Sequence, residues 1–171
     1  LAALSNTWYC EQHPDESFLV NVVGSENVAR AAARYGAKFV FFSSDQVYNG
    51  SAQQGPLNEA LPLSPVNHYG RHKLEAEQRI AAVSPSAVIL RVTWMYAAPQ
   101  PTAPHTDFVS NMINAVKENT TLIVPVHEYR GITWLHDVVS NLPLAFTLQG
   151  GVYNFGSGNN VNTYETACCY C

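Results

Sequence analysis

The chain is poor in charge. Of its 171 residues 13% are Asp, Glu, Lys or Arg, against a hydrophobic share of 47%. Net charge is -4 and no basic run occurs, which argues against a phosphate-tracking surface and hence against nucleic acid as a partner. Long apolar runs are also missing. Stretches such as Phe39–Phe42 are far too short to span a bilayer, so no membrane partner is expected. Leu1–Ser5 lacks the charged n-region of a signal peptide. Cysteine is scarce and awkwardly placed: Cys10 stands alone, while Cys168, Cys169 and Cys171 crowd the end. That arrangement gives neither a disulfide framework nor zinc-ligand spacing. The expectation is a cytoplasmic, reduced protein with no metal site. What is left is a chain long enough for one domain with a real core.

The positive signals come in alternation. Leu1–Ser5 reads as the carboxyl end of a buried strand, open to a ligand or simply a frayed stub. Pro14, followed by Asp15 and Glu16, opens a helix. Phe18, Val22, Ala29 and Ala33 mark its apolar face, and Gly36 lies just past its end. Lys38–Ser43 is a short apolar run of the kind found in a central parallel strand. Ser51–Pro65 is a loop, and Pro65 opens the next helix, with Glu75 and Arg79 paired on its outer side. Ser86–Val92 is a second buried strand. Ala97–Thr106, with Pro99, Pro101 and Pro104, is an irregular excursion. Helices are predicted over Asp107–Glu118, with Phe108, Met112 and Val116 on one face, and over His136–Leu148, where Pro143 kinks or shortens the helix. Short strands are predicted at Leu122–Val124 and Gly151–Phe155. Thr163 would cap a last helix. The alternation defines an α/β chain with a mostly parallel sheet.

Chemistry gathers at the strand ends and on one helix. Tyr69 and Lys73, four residues apart, project from the same helical face. There an ammonium can stabilise a phenolate and bring a group of ordinary pKa about 10 into use near neutral pH. By itself the spacing also fits a solvated helix face. Ser44 and Asp45 follow a predicted strand, where parallel sheets bind ligands, though a turn-and-cap role serves them equally. Thr93–Tyr96 holds the corresponding place after the second strand. His68 and His72 share a helical face but have no third ligand, so they read as surface histidines. Trp8 and Trp134 read as packing residues.

Ser44, Tyr69-x3-Lys73 and Trp94 occur in a fixed order, and longer motifs surround them. These are Ala2-Ala3-Leu4, Asn21-Val22-Val23-Gly24 with Asn27-Val28-Ala29, Ser43–Gly50, Tyr69–Glu75 and Arg91–Tyr96. In this the chain resembles the extended short-chain dehydrogenase/reductase superfamily, and within it the dTDP-4-dehydrorhamnose reductase family. The resemblance covers most of residues 1–96 and is looser beyond, where Tyr153–Gly156 resembles a later strand. It implies a Rossmann-like doubly wound parallel sheet, present here in part, with part of a small substrate-binding lobe. Residues 1–96 would be the later portion of the dinucleotide-binding domain, 97–130 part of the lobe, 131–155 a return to the sheet, and 156–171 the start of a further lobe segment.

The resemblance also implies roles. Tyr69 would give a proton to the substrate carbonyl oxygen. Lys73 would hold the ribose hydroxyls of NADP or NAD. Ser44 would bond the substrate oxygen, Asp45 would contact the substrate, and Trp94 would line the sugar site. Ala2, Ala3 and Leu4 would pass along the cofactor. The implied substrate is a nucleotide-linked 4-keto-6-deoxy sugar, with dTDP the expected nucleotide, and a homodimer stays open. Departures are visible. No Gly-x-x-Gly-x-x-Gly occurs, so the pyrophosphate lacks its helix-N-terminus site. The 171 residues therefore read as the central part of a longer protein, inactive alone. Gln46 and Asn49 replace a common tyrosine and aspartate, which bears on sugar specificity. Arg130–Trp134 stands where a Gly-x-Pro-Thr-like turn is usual.

Two other functions fit the same residues. One is an epimerase or dehydratase of the superfamily. The other is a non-catalytic dinucleotide-binding subunit resembling the regulatory subunit of methionine adenosyltransferase.

Overall fold

The computed structural model describes residues 3–97 and 107–169. The chain forms two compact units. The first runs up to Val92 and adds Leu144–Phe155; the second comprises Thr93–Pro143 and the residues from Gly156 on. Trp94–Tyr96, expected within the first part, and the stretch up to Pro143, expected back in the sheet, thus belong to the second unit.

The first unit opens with α1 (Thr7–Gln12), whose first turn is capped by the Asn6 side chain. Pro14 starts α2 (Pro14–Phe18) at its first helical position, as its fixed φ and missing N–H allow. A π-helical segment, Leu19–Gly24, leads directly into α3 (Ser25–Arg34). The wider π turn changes the phase of the helix. Val22 and Ala29 are fully buried as the sequence pattern predicts, while Ala33, in the last turn of α3, is exposed and the polar Ser17 and Asn21 are buried instead. Gly36, at φ +63°, ends the helix in the left-handed conformation that a Cβ disfavours.

Three parallel strands follow in the order β1 (Val40–Ser44), β2 (Val88–Val92), β5 (Gly151–Phe155). Val40 pairs with Val88, and Val88 with Gly151, so the strands end level with one another. All five residues of β2 are buried. Helices α3 and α4 (His68–Val83) supply Ala29, Ala76 and Ile80 to a core with Phe41, Ala87 and Ile89. Each large side chain removed from water there contributes about 1.5–3 kcal/mol.

Several boundaries differ from the sequence reading. Ala3–Ser5 is not a strand, because the Leu4 backbone is occupied by a side chain: its N–H donates to Asn21 Oδ1 and its carbonyl accepts from Asn21 Nδ2. β1 begins at Val40, and the Lys38 ammonium instead holds the carbonyls of Ser86 and Leu148. α4 begins at His68 rather than Pro65. The Asn67 side chain caps it, while Arg71 bonds the Pro65 and Val66 carbonyls outside the helix. Trp8 is 70% exposed and no packing residue.

In the second unit β3 (Trp94–Tyr96) pairs in parallel with β4 (Ile132–Trp134), a strand too short for its period to show in the sequence. Leu122–Val124 is irregular, with Ile123 almost fully exposed. α5 (Phe108–Glu118) is capped by Asp107 and buries Val109, Met112 and Ala115, whereas Val116 faces water. α6 (Leu135–Ala145) keeps Pro143 within it. α7 (Thr163–Cys168) is capped by Asn162 in a reciprocal box with Glu165, so Thr163 is its first residue and not its cap. Trp134 is half exposed, with one face stacked on Tyr96. No helix among the described residues is long and apolar enough to cross a membrane.

Candidate active site

β1 delivers Ser44 to the carboxyl end of the sheet. There Ser44 caps a 3-10 turn, Asp45–Tyr48: its Oγ accepts from the Gln46 N–H and donates to Asp45 Oδ1, both at 3.2 Å. The capping role is therefore met, and it fixes the hydroxyl at the strand end. The first turn of α4 lies against this turn. A Cβ on Gly70 would come within 2.5 Å of the Gln46 carbonyl oxygen and 2.9 Å of Pro65 Cβ, so only glycine permits the approach.

The neighbour of Gly70 is Tyr69, a buried residue. One turn on, Lys73 is also buried. Its Nζ lies 5.7 Å from the centre of the Tyr69 ring and 4.8 Å from that of Phe41, and donates to the Phe42 carbonyl at 2.8 Å. Burial drives the Lys73 pKa down to about 8, against the opposing attraction of Glu77 and Cys10. Tyr69 and Lys73 thus share a face turned inward, not a solvated one.

His72 is not a surface residue. Its Nδ1 lies 2.9 Å from Ser17 Oγ and its ring meets Phe18 edge-on. Burial, then the neighbouring His68, holds its pKa below the ordinary histidine value. Ser17 Oγ accepts from Asn21 Nδ2 at 3.2 Å, and Asn21 grips Leu4. A buried polar chain therefore runs from α4 to Leu4. Ala3 beside it is exposed, while Ala2 lies outside the described residues. Among the described residues no group of three or more His, Cys, Asp or Glu could hold a metal.

Sequence reasoning missed Glu77 and did not single out Arg91. Both are buried, and they form a bidentate ion pair. The signal was present in Ser86–Val92, where a charged residue interrupts an apolar strand and must find a partner.

Trp94 lies in the second unit. Its ring stacks on Phe108 at 4.7 Å, and the Arg130 guanidinium sits 4.0 Å from the ring centre. Trp94, Phe108, Met112, Asn111, Glu128 and Thr163 line a cleft of ≈ 610 Å³.

A parallel sheet with a Tyr-x3-Lys helix against it, and a serine at the end of β1, defines a Rossmann-type α/β protein. Residues 1–170 match the RmlD substrate binding domain, and the chain belongs to that family. It is 30% identical over 151 residues to a dTDP-4-dehydrorhamnose reductase of Mycolicibacterium smegmatis, covering 88% of this chain and 44% of the relative. It is 31% identical over 166 residues to methionine adenosyltransferase 2 subunit beta of Xenopus tropicalis, covering 92% of this chain and 48% of that protein. A crystal structure of dTDP-4-dehydrorhamnose reductase from Bacillus anthracis in complex with NADP superposes with a TM-score of 0.86 at 26% identity, over 99% of this chain and 59% of that one. The chain spans about half the length of the curated relatives it matches.

Proposed function

We propose that the chain is the substrate-facing part of an NAD(P)H-dependent reductase acting on a nucleotide-linked 4-keto-6-deoxy sugar. The observation that carries this reading is the buried Tyr69–Lys73 pair beside the Ser44 turn. The reductase relatives support it. The nicotinamide, when bound, supplies the hydride.

The residues present suit its ribose end. The Lys73 ammonium has donors beyond the one given to Phe42, and Ala3 is small, exposed and held next to the Leu4 backbone that Asn21 fixes. Tyr69 would pass its proton to the carbonyl oxygen of the sugar as that oxygen becomes negative. The Lys73 charge would stabilise the phenolate left behind. Ser44 would donate a hydrogen bond to the same oxygen, releasing Asp45 for another substrate contact. Trp94, whose ring faces carry Phe108 and Arg130, would offer only its indole edge to the sugar.

The test uses the full-length protein, a dTDP-4-keto-6-deoxy sugar and NADPH or NADH, with absorbance as the readout. Tyr69→Phe should lower kcat by about 10²–10⁴-fold while the protein stays folded. Turnover that survives the change refutes the role of Tyr69.

A second reading is a dinucleotide-binding subunit of a methionine adenosyltransferase, favoured by the 31% identity to the beta subunit. Tight NADPH binding with no turnover on any 4-keto sugar nucleotide would support it over the first.

A further inference from the structure

Ser43, Arg91 and Asn154 stand in one row across β1, β2 and β5, each one residue before its strand ends. From α4 the Glu77 carboxylate reaches this row. It accepts from Ser43 Oγ and takes the Arg91 fork, at 3.1 Å from Nε and 2.7 Å from Nη2. The remaining Arg91 arm, Nη1, donates to the Tyr48 hydroxyl at 2.7 Å and to the Glu59 carbonyl at 3.1 Å. Tyr48 donates onward to Asn154 Oδ1, whose own residue bonds Glu59 Oε1 and the Leu57 carbonyl. Both charged side chains are 4% exposed.

A buried ion pair is a poor way to stabilise a fold, because desolvation offsets the attraction and an apolar pair of similar volume does as well. The network's distinction is its place. Glu77 is one helical turn past Lys73 and two past Tyr69. Ser43 adjoins Ser44. The Arg91 arm holds the Glu59 carbonyl, and Asn154, linked to that arm through Tyr48, holds the Leu57 carbonyl, both in the loop that follows the Ser44 turn.

We propose that the Glu77–Arg91 pair is a positioning device for the candidate active site, fixing α4 against the ends of β1 and β2 and fastening residues 57–59 beside them. Its link to catalysis rests on the reductase reading above. Lys73 faces Cys10 from α1, the Phe41 ring and Phe42 carbonyl from β1, and Tyr69 and Glu77 from its own helix; Arg91 of β2 shares the Glu77 carboxylate. Loss of the Glu77 charge removes an attraction that favours the Lys73 ammonium.

The test compares the full-length protein with the double variant Glu77→Met/Arg91→Met and with Arg91→Lys. Glu77→Gln alone strands the Arg91 charge and can fail to fold; the double variant removes both charges, and Arg91→Lys keeps the charge without the fork. Four properties are read: the thermal midpoint, the titration of the Lys73 amine by pH-dependent acylation and mass spectrometry, proteolytic cleavage within residues 51–65, and kcat with KM.

The double variant is expected to keep its midpoint, to titrate Lys73 at a lower pH than the parent, and to lose about 100-fold in kcat. Arg91→Lys is expected to speed proteolytic cleavage within residues 51–65. A double variant with unchanged Lys73 titration and unchanged kcat overturns the proposal, as does Arg91→Lys with unchanged cleavage and turnover. If the parent shows no turnover, the reductase reading fails by itself, and the Lys73 titration and loop cleavage still decide the positioning role.

Discussion

Replacing Lys73 by Met should change how stability depends on pH. The folded protein holds the Lys73 ammonium out of water, and its pKa drops from 10.5 to about 8. At about 1.4 kcal/mol per unit, burial of the charged form costs about 3 kcal/mol below about pH 8, where the folded amine is protonated too, and the cost fades as pH rises to 10.5. Between the two values the unfolded chain binds a proton that the folded chain does not. Stability therefore rises with pH across that window on account of this residue. Met fills a similar volume and carries no charge. Its own cost, an unpaired Phe42 carbonyl worth about 1–3 kcal/mol, does not vary with pH. Urea unfolding of parent and Lys73→Met should thus show a difference that moves in the parent's favour by about 3 kcal/mol as the amine's window is crossed, with other titrations cancelling between the two. Curves that stay parallel from about pH 7 to about pH 10 would refute the assignment of a buried, charge-strained lysine.

Other perturbations follow from the same geometry. Gly70→Ala should destabilise by about 1–3 kcal/mol and lower the thermal midpoint, since its Cβ would press on the Gln46 backbone. His72→Gln should flatten the acid limb of the stability curve. The histidine's depressed pKa means that its contribution is complete above about pH 6.5 and is lost as pH falls below that value; matching acid limbs in the two proteins would count against its burial. In the full-length enzyme, kcat/KM for reduction should decline above about pH 8 as Lys73 loses its proton, and a rate that is flat through that range would show that its charge is not needed.

Much of the first unit was legible because its signals are local. Pro14 with two acids, a short apolar run, and Tyr69 four residues before Lys73 each state a local geometry. The errors share a cause, which is that a partner distant in sequence took over. Asn21 displaced strand pairing at Leu4, and Arg71 drew the Pro65 carbonyl out of the helix. Ala33 keeps the period of the buried Ala29 but falls in the last turn of α3 and is exposed. For the site, spacing named Tyr69 and Lys73 and resemblance added Ser44. Glu77 stayed hidden because an acid at that place on a helix normally faces water, and only the register of Ser43 with Arg91 turns it inward. In the second unit the three-residue strands were beyond any periodicity argument.

The sheet has one further property. Val92 pairs with Phe155, so adjacent strands are joined by a detour of about 60 residues that builds most of a separate unit. Closing such a detour costs entropy only as the logarithm of its length, and doubling it would add about 0.6 kcal/mol. The sheet therefore places almost no limit on the size or sequence of what is inserted there. Mutation can enlarge, trim or rewrite that excursion while the strands on either side still find each other. An ancestral scaffold wired this way can take on new ligands by changing its insert and leave the helix of Tyr69 and Lys73 untouched.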